Sequence, residues 1–319
     1  MIRALAVLAL AIFSANAWAQ AYPNKPIRLV VGFTPGGVSD VLARAMSAKL
    51  SQNFGQQVVV DNRPGAGTTI ASEIISKSAP DGYALYFVDA TTHAINATLY
   101  RKLPYDSLRD FTHISLVAST PLLLVVNPAL PVHSVAELIA LAKSKSGQLN
   151  YASSGTGTIV HLAGEMFKTV AHVEMVHVPY KGSSPAVTAV MAGDVALLFS
   201  SMPAALQFAK SGKLRALAVT TPERVAAVQD VPTLAESGFP GFELVLYNGL
   251  VGPAGMQKGV VDRIHDEVAK VLALPDMKEF FAAQGATPIT NTSEQFTAHM
   301  RAEVAKLGKA VKDSGAQAD

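Results

Sequence analysis

The sequence predicts an α/β fold of two lobes with a ligand cleft between them. Short apolar runs with the pattern of buried strands alternate with runs in which apolar residues recur at helical spacing. Loops rich in Gly, Ser and Thr join the two kinds of run. The order is repeated in two series, separated by the apolar stretch "PLLLVVNP" at 121–128. Such an order is typical of parallel sheets with helices on both faces.

The first series contains three strand patterns: "IRLVVGF", "QVVVDN" and "YALYFVDA". Loop 34–37 follows the first strand and leads into a helix pattern from Val38 to Leu50. Loop 63–69 follows the second strand and precedes a helix that starts at about Ile70. The third strand runs into Thr91, Thr92 and His93, which we expect on a strand-end loop. Ligands of such sheets bind at the carboxyl ends of the strands.

The second series follows the stretch at 121–128, which we interpret as a hinge. Its strand and loop patterns are "LNYASSGTGT", "VEMVHVPYKGSS", "VALLFSSMP" and "LRALAVTTPE". A second apolar stretch at 239–255, bounded by Gly and Pro, is expected to return the chain to the first lobe. From Gly259 onward the sequence is helical in pattern. Two crossings between two α/β lobes predict a cleft, which is a common place for a small-ligand site.

The N-terminal segment has the features of a secretory signal peptide. Arg3 precedes an apolar run at 4–13 that is too short to span a bilayer. Small residues at 17, 19 and 21 predict cleavage after Ala19 or Ala21, so residues 1–21 form the signal segment. The chain has no cysteine, which excludes disulfides and a lipid-bearing Cys at the cleavage point. We therefore expect a mature protein that does not span the membrane.

Composition narrows the function classes. The 319 residues carry a formal net charge of +2 with both signs dispersed, which argues against a nucleic-acid surface. Charged residues make up 16% and apolar residues 50%, as in a packed globular protein. The length favours two domains over one.

Four Gly/Ser/Thr loops lead into helices and are candidate anion sites, at 34–37, 63–69, 153–158 and 180–184. The loop "ASSGTGT" opens the helix near Ile159, where unbonded N–H groups point outward. Each loop by itself is equally consistent with turn geometry and helix capping. Several such loops on one edge of a cleft would supply the convergent donors that a carboxylate needs.

Other chemistries lack their motifs. Gly155 and Gly157 are followed by Val160 where a dinucleotide fingerprint needs its third glycine. No G-x-S-x-G elbow and no Walker motif occurs. His161 and Glu165 lie four residues apart on a predicted helix, but a single pair is a weak metal signal. His93, His172 and His177 have no spaced partner, and we expect structural roles for them, with His93 the one placed to line the cleft.

Seven motifs together resemble the solute-binding receptors of tripartite tricarboxylate transporters, the Bug-type family. The motifs span the mature chain in order: "YPNKPIRLVVGFTPGGVSDVLAR", "NRPGAGTTIASE", "PDGYALYF", "LNYASSGTGTIVHLAGEMF", "HVPYKGSSPAVTAVMAGDV", "GKLRALAVTTPER" and "DVPTLAESG". The resemblance implies a type II-like periplasmic binding protein of two Rossmann-like domains joined by crossing hinge strands. It places lobe 1 at 22–122 plus 241–319 and lobe 2 at 123–240.

The resemblance also implies how the protein works. It predicts capture of a small carboxylate (a mono-, di- or tricarboxylate, an aromatic acid or an amino acid) and delivery to a two-component membrane permease. We expect a monomer with no cofactor, no metal and no catalytic residue. The positions that match the family's cleft loops, together with Ser200, are Phe33, Pro35, Gly36, Gly37, Ala66, Thr91, Thr92, His93, Ser153, Ser154, Gly155, Thr156, Gly157, Tyr180, Lys181, Gly182 and Ser200.

Two positions depart from the family pattern. Ser200 stands where many members have Asp, and Tyr247 stands where Trp is common. Loss of a carboxylate would disfavour a ligand amino group, which favours an uncharged or acidic distal group. Two other functions stay open at this point: a ligand-sensing partner of a membrane signalling protein, which needs the same cleft, and a secreted enzyme acting on a carboxylate, for which no nucleophile–base set is found.

Overall fold

The strands form one continuous sheet that curves from one half of the molecule into the other. The computed structural model describes residues 22–318, so the predicted signal segment and both cleavage positions lie outside the described residues. The strands are β1 Ile27–Val31, β2 Val58–Asn62, β3 Ala84–Asp89, β4 Phe111–Val126, β5 Asn150–Ser153, β6 Val176–Pro179, β7 Leu197–Ser201, β8 Arg215–Val219, β9 Val245–Pro253 and β10 Thr287–Pro288. Their order is β2-β1-β3-β9-β4-β7-β5-β6, and β8 and β10 also pair with β4.

Helices cover the sheet and follow most strands directly. They are α1 Val38–Phe54, α2 Thr69–Ser76, α3 Ala90–Leu99, α4 Val135–Ser144, α5 Ile159–Ala171, α6 Ser183–Ala192, α7 Met202–Lys210, α8 Lys258–Ala273, α9 Pro275–Ala283 and α10 Ser293–Ser314. None of the helices within residues 22–318 combines the length and apolar character needed to cross a bilayer. The predicted two-lobed α/β fold is confirmed, with the strands of each series at the centre of one lobe.

The long strand β4 belongs to both lobes. Its first part, 111–121, pairs with β9, and its second part, 122–126, pairs with β7 and β8. Pro121 lies at the point where the partner changes, and because proline has no N–H to donate, it fits a position where the ladder is interrupted. The hinge predicted at 121–128 therefore lies partly inside a strand that begins ten positions earlier, at Phe111.

The two expected parallel units are present, and antiparallel strands join them. Strands β1, β2 and β3 are parallel to one another, as are β5, β6 and β7. Strand β9 runs antiparallel to both β3 and β4, and β4 runs antiparallel to β7 and β8. The two crossing strands thus add antiparallel pairs to two parallel units. Strand β4 follows the first series and pairs with β7 and β8 of the second, whereas β9 follows the second series and pairs with β3 of the first.

The C-terminal helix α10 packs on the crossing strands and on both lobes. It contacts α3 and β4 on one side and α5 on the other. Phe296 is fully buried against Gly249 of β9, and its ring lies 5.1 Å from that of His113 on β4. A Cβ at position 249 would lie 2.5 Å from the Phe296 ring and 3.2 Å from the Ser115 carbonyl oxygen. Glycine at 249 is therefore a packing requirement.

Two glycine substitutions should change stability in opposite directions. We expect Gly249→Ala to lower the free energy of unfolding by about 1–3 kcal/mol, because Phe296 is enclosed and cannot move away. Gly259→Ala is the matched control, since Gly259 occupies an exposed position on α8 with no atom within 4 Å of an added Cβ. It should stabilise by up to about 1 kcal/mol through helix propensity. Urea unfolding of the three proteins is the measurement, and equal midpoints would contradict the packing argument.

Candidate functional site

Three helix N-termini meet at the base of the cleft between the lobes. Helix α1 follows β1 of the first parallel unit, and helices α5 and α6 follow β5 and β6 of the second, so each begins at the carboxyl end of a parallel strand. They enclose a small cavity of about 10 Å³. Its lining is Phe33, Gly37, Val38, Ser39, Asp89, Ser154, Ile159, Val160, Ser183, Ser201 and Leu246. Three positive helix ends therefore face one point, where an anion is favoured.

A large cavity of about 250 Å³ adjoins the small one. The two share Phe33 and Ser154. The residues that line the large cavity are Gly32, Phe33, Gly65, Ala66, Gly67, Thr68, Tyr100, Ser154, Gly155, Thr156, Pro179, Tyr180 and Lys181. The space is suited to the body of a small organic molecule whose charged end lies at the helix N-termini.

The loop before α5 offers amide groups to this space. The first N–H groups of a helix have no intrahelical acceptor. That of Ile159 donates to Thr92 Oγ1 at 3.3 Å, and that of His161 donates to the capping Thr158 Oγ1 at 3.4 Å. Within residues 22–318, the amides of this segment that donate to no acceptor are those of Ser154, Thr156 and Val160. These residues line the two cavities, so their N–H groups are available to a ligand.

Direct contacts already join the two sides of the cleft. Ser184 Oγ donates to the Pro35 carbonyl oxygen at 3.3 Å, and Tyr100 OH donates to the Thr156 carbonyl oxygen at 3.4 Å. The amide of Ile159 reaches Thr92 across the same gap. Pro35, Thr92 and Tyr100 belong to the first series and their partners to the second, so the structure has a closed cleft.

Asp89 is a buried carboxyl on the wall of the small cavity, and the sequence analysis missed it. It ends β3 and caps α3, accepting from the Thr92 N–H at 2.9 Å and the Thr92 hydroxyl at 2.8 Å. Burial raises the pKa of Asp89 to about 6, although the hydrogen bonds from Thr92 favour the charged form. An acidic residue at the last position of a strand, directly before a helix, was the available sequence signal.

The structure brings many of the predicted site residues together. Those that line a cavity are Phe33, Gly37, Ala66, Ser154, Gly155, Thr156, Tyr180 and Lys181. Ser153, Gly157 and Gly182 lie at the edges of the loops and line neither cavity. Pro35 and Gly36 also line neither, but both are exposed at the cleft contact.

Ser201, rather than the predicted Ser200, faces the small cavity. The two are neighbours on β7, where successive side chains point to opposite faces. Ser200 Oγ donates to the Ser201 carbonyl oxygen at 3.2 Å. Ser201 is 1% exposed, and its hydroxyl has no hydrogen-bond partner within residues 22–318. An unpartnered buried hydroxyl beside three helix N-termini is a candidate ligand contact.

The segment with Thr91, Thr92 and His93 is helical, which corrects the predicted loop. Helix α3 starts at Ala90, immediately after β3. His93 is buried, its ring stacks on Tyr105 at 5.4 Å, and its Nε2 lies 3.1 Å from the Ser107 carbonyl oxygen. Burial lowers the pKa of His93 to about 4. His93 is thus a structural residue away from both cavities, as is Thr91, whose hydroxyl is bonded to β9.

Metal ligation finds no support in the described residues. Across 22–318, no three His, Cys, Asp or Glu side chains form a group that could hold a metal ion. Glu165 accepts from Tyr151 OH and forms an ion pair with Lys168 at 2.9 Å. The pair His161 and Glu165, considered above for its spacing, therefore serves other contacts.

Known proteins resemble this chain over almost its whole length. Residues 42–316 match the sequence model described as "Tripartite tricarboxylate transporter family receptor". Protein BugT of Bordetella pertussis is 36% identical over 322 residues, covering 99% of both chains. A structure titled "R. palustris Rpa4515 with adipate" is 37% identical with a TM-score of 0.90, covering 92% of this chain and 98% of that one.

A more distant relative has the same architecture. MatC from Rhodopseudomonas palustris with bound malate is 28% identical with a TM-score of 0.88, covering 91% of this chain and 100% of that chain. Sequence and fold therefore agree with these relatives over more than 90% of the chain. The protein belongs to the family of tripartite tricarboxylate transporter receptors.

Proposed function

We propose that this protein is a periplasmic receptor that binds a small carboxylate in the interlobe cleft and delivers it to a two-component membrane permease. The observation that carries the proposal is the convergence of three helix N-termini on one buried point. Adipate and malate in the structures of two relatives support a carboxylate as the ligand. The predicted signal segment at 1–21 supports export, and the cleft is complete within one chain, which supports a monomer.

The ligand's carboxylate would lie at the junction of the two cavities. The free amides of Ser154, Thr156 and Val160 and the hydroxyl of Ser201 would donate to it. Hydrogen bonds to a charged acceptor contribute about 1.5–3 kcal/mol each, and each helix end adds about 0.3–1 kcal/mol. The small cavity has no Lys or Arg in its lining, so dipoles and hydrogen bonds would balance the negative charge.

The large cavity would hold the rest of the ligand. Lys181 lines it and is exposed, so its ammonium group is placed to meet a second acidic group at the distal end. Ser200 lies off the cavity walls, and its lack of a carboxylate therefore carries no preference. We propose a dicarboxylate as the preferred class, held by the helix N-termini at one end and by Lys181 at the other.

Release requires the lobes to separate. We propose the boundaries 22–122 plus 241–319 and 123–240 for the two lobes, with β4 and β9 crossing between them. Contacts from both lobes line each cavity, so ligand binding would favour the closed arrangement. The same boundaries place the interruption at Pro121 beside the hinge.

A thermal-shift screen of the mature protein tests the function. Adipate, malate, citrate, benzoate and aspartate would be compared with dimethyl adipate, an uncharged ester that controls for ligand size. We expect a free dicarboxylate at 100 times its dissociation constant to add about 2.7 kcal/mol of stability. Two results would contradict the proposal: stabilisation by the ester as large as that by adipate, or no stabilisation by any of the acids.

The variants Ser201→Ala and Ser200→Ala should show which of the two neighbouring hydroxyls contacts the ligand. Ser201→Ala removes a proposed ligand donor that has no protein partner, so binding should weaken about tenfold while stability is unchanged or slightly higher. Ser200→Ala should leave the affinity within about threefold of the wild type. Calorimetric titration with adipate and malate gives both affinities, and a loss confined to Ser200→Ala would reverse the assignment.

Carboxylate binding should strengthen as the pH falls from about 8 to about 6. The ionised form of Asp89 repels a ligand anion in the same cavity, and a pKa of about 6 means that its neutral form becomes populated over this window. We expect up to about a tenfold gain in affinity, equivalent to one pKa unit. Asp89→Asn should bind with the higher affinity throughout and remove this pH dependence. Identical pH profiles for the two proteins would exclude Asp89 as the cause.

A further inference from the structure

A column of stacked rings lies behind the loop that precedes α5. The His177 ring stacks on Tyr151 with centroids 4.9 Å apart and on His161 with centroids 4.2 Å apart. Tyr151 and His161 are buried, and His177 is half-buried. The column spans β5, β6 and α5, the three elements on which the loop is built.

Two amides of the loop are bonded to this column or to a side chain held by it. The Gly157 N–H donates to His161 Nδ1 at 3.3 Å. The Gly155 N–H donates to Ser153 Oγ at 3.1 Å, and Ser153 Oγ lies 2.6 Å from His177 Nε2. Every second amide of the loop is thus turned to the protein interior, and the intervening amides of Ser154 and Thr156 remain available to the cavities.

The charges around the column favour neutral imidazoles. His161 Nδ1 can accept a hydrogen bond only when it carries no proton. Burial, with smaller contributions from the nearby His161 and Lys168, lowers the pKa of His177 to about 3. Lys168 is itself paired with Glu165, which also accepts from Tyr151 OH. Two charged rings stacked at this distance would repel each other strongly.

We propose that the neutral imidazole of His161 is a positioning residue for ligand capture, because it fixes the Gly157 amide inward and so directs the Ser154 and Thr156 amides to the carboxylate. His177 supports it through Ser153 at the other end of the loop. This inference rests on the proposed carboxylate site, and it assigns the affinity of that site partly to residues that touch no ligand.

Two substitutions of His161 distinguish the effect of its hydrogen-bond acceptor from the effect of its side-chain volume. His161→Asn keeps an acceptor, since Asn Oδ1 occupies the position of Nδ1, whereas His161→Leu keeps the volume and removes the acceptor. Amide hydrogen exchange by NMR in the ligand-free proteins should show faster exchange at Gly157 in His161→Leu and near-native exchange in His161→Asn. His133→Leu, at an exposed histidine, is the surface control.

Calorimetric titration with adipate and malate should follow the same order. We expect binding about tenfold weaker for His161→Leu and within about threefold of wild type for His161→Asn. Two results would overturn the inference: equal exchange at Gly157 in the wild type and both His161 variants, or binding by His161→Asn as weak as that by His161→Leu. If the wild type binds none of the acids in the thermal-shift screen, the proposed function fails, and the exchange pattern still decides whether His161 holds the loop.

A direct observation needs no variant. A nitrogen–nitrogen scalar coupling across the hydrogen bond from Gly157 to His161 Nδ1 should be measurable in the wild-type protein. Its presence would establish that Nδ1 is the acceptor. A chemical shift that shows a proton on Nδ1 would overturn the assignment. This test can be made even if His161→Leu does not fold.

Discussion

The N–H groups that helix N-termini leave without an acceptor determine how this molecule is arranged. A helix cannot satisfy its first amides, and parallel strands deliver successive helices to the same sheet edge. Because two such units face each other, the open amides of α1, α5 and α6 meet in one place. The glycines and small hydroxyl residues at these starts allow the close approach, and the side chains of Thr158 and Asp89 satisfy the amides that are not needed at the cleft.

A site made of backbone donors differs from one made of arginines. Amides fixed by helices do not reorient, so little conformational entropy is lost when an anion arrives. In the proposed site, selectivity among acids would then come from the size of the large cavity and from the charged side chains that line the two cavities, Lys181 in the large one and Asp89 in the small one.

The sequence predicted the elements with strong periodicity and failed where tertiary contacts decide. The Gly/Ser/Thr loops before α1 and α5 were found because strand, loop and helix patterns each mark them. The first part of β4 was missed, since His113, Ser115 and Thr120 interrupt its apolar run although all three are buried. Ser200 was predicted because it stands where many family members have Asp, but one position of strand register decides that Ser201 faces the cavity. No local pattern encodes that register or the stacking of His161 on His177.

The hydrogen bonds that bridge the cleft also have a kinetic meaning. Those of Ser184, Tyr100 and Ile159 measure 3.3–3.4 Å, at the long end of the usual range. Lobe separation breaks these weak bonds, and the interruption of the ladder at Pro121 lets β4 bend without losing a backbone bond there. The empty receptor should therefore exchange between open and closed forms rapidly, and the lifetime of the complex should be governed by the ligand's own contacts. A receptor built in this way would release each ligand at a rate set by that ligand's own contacts.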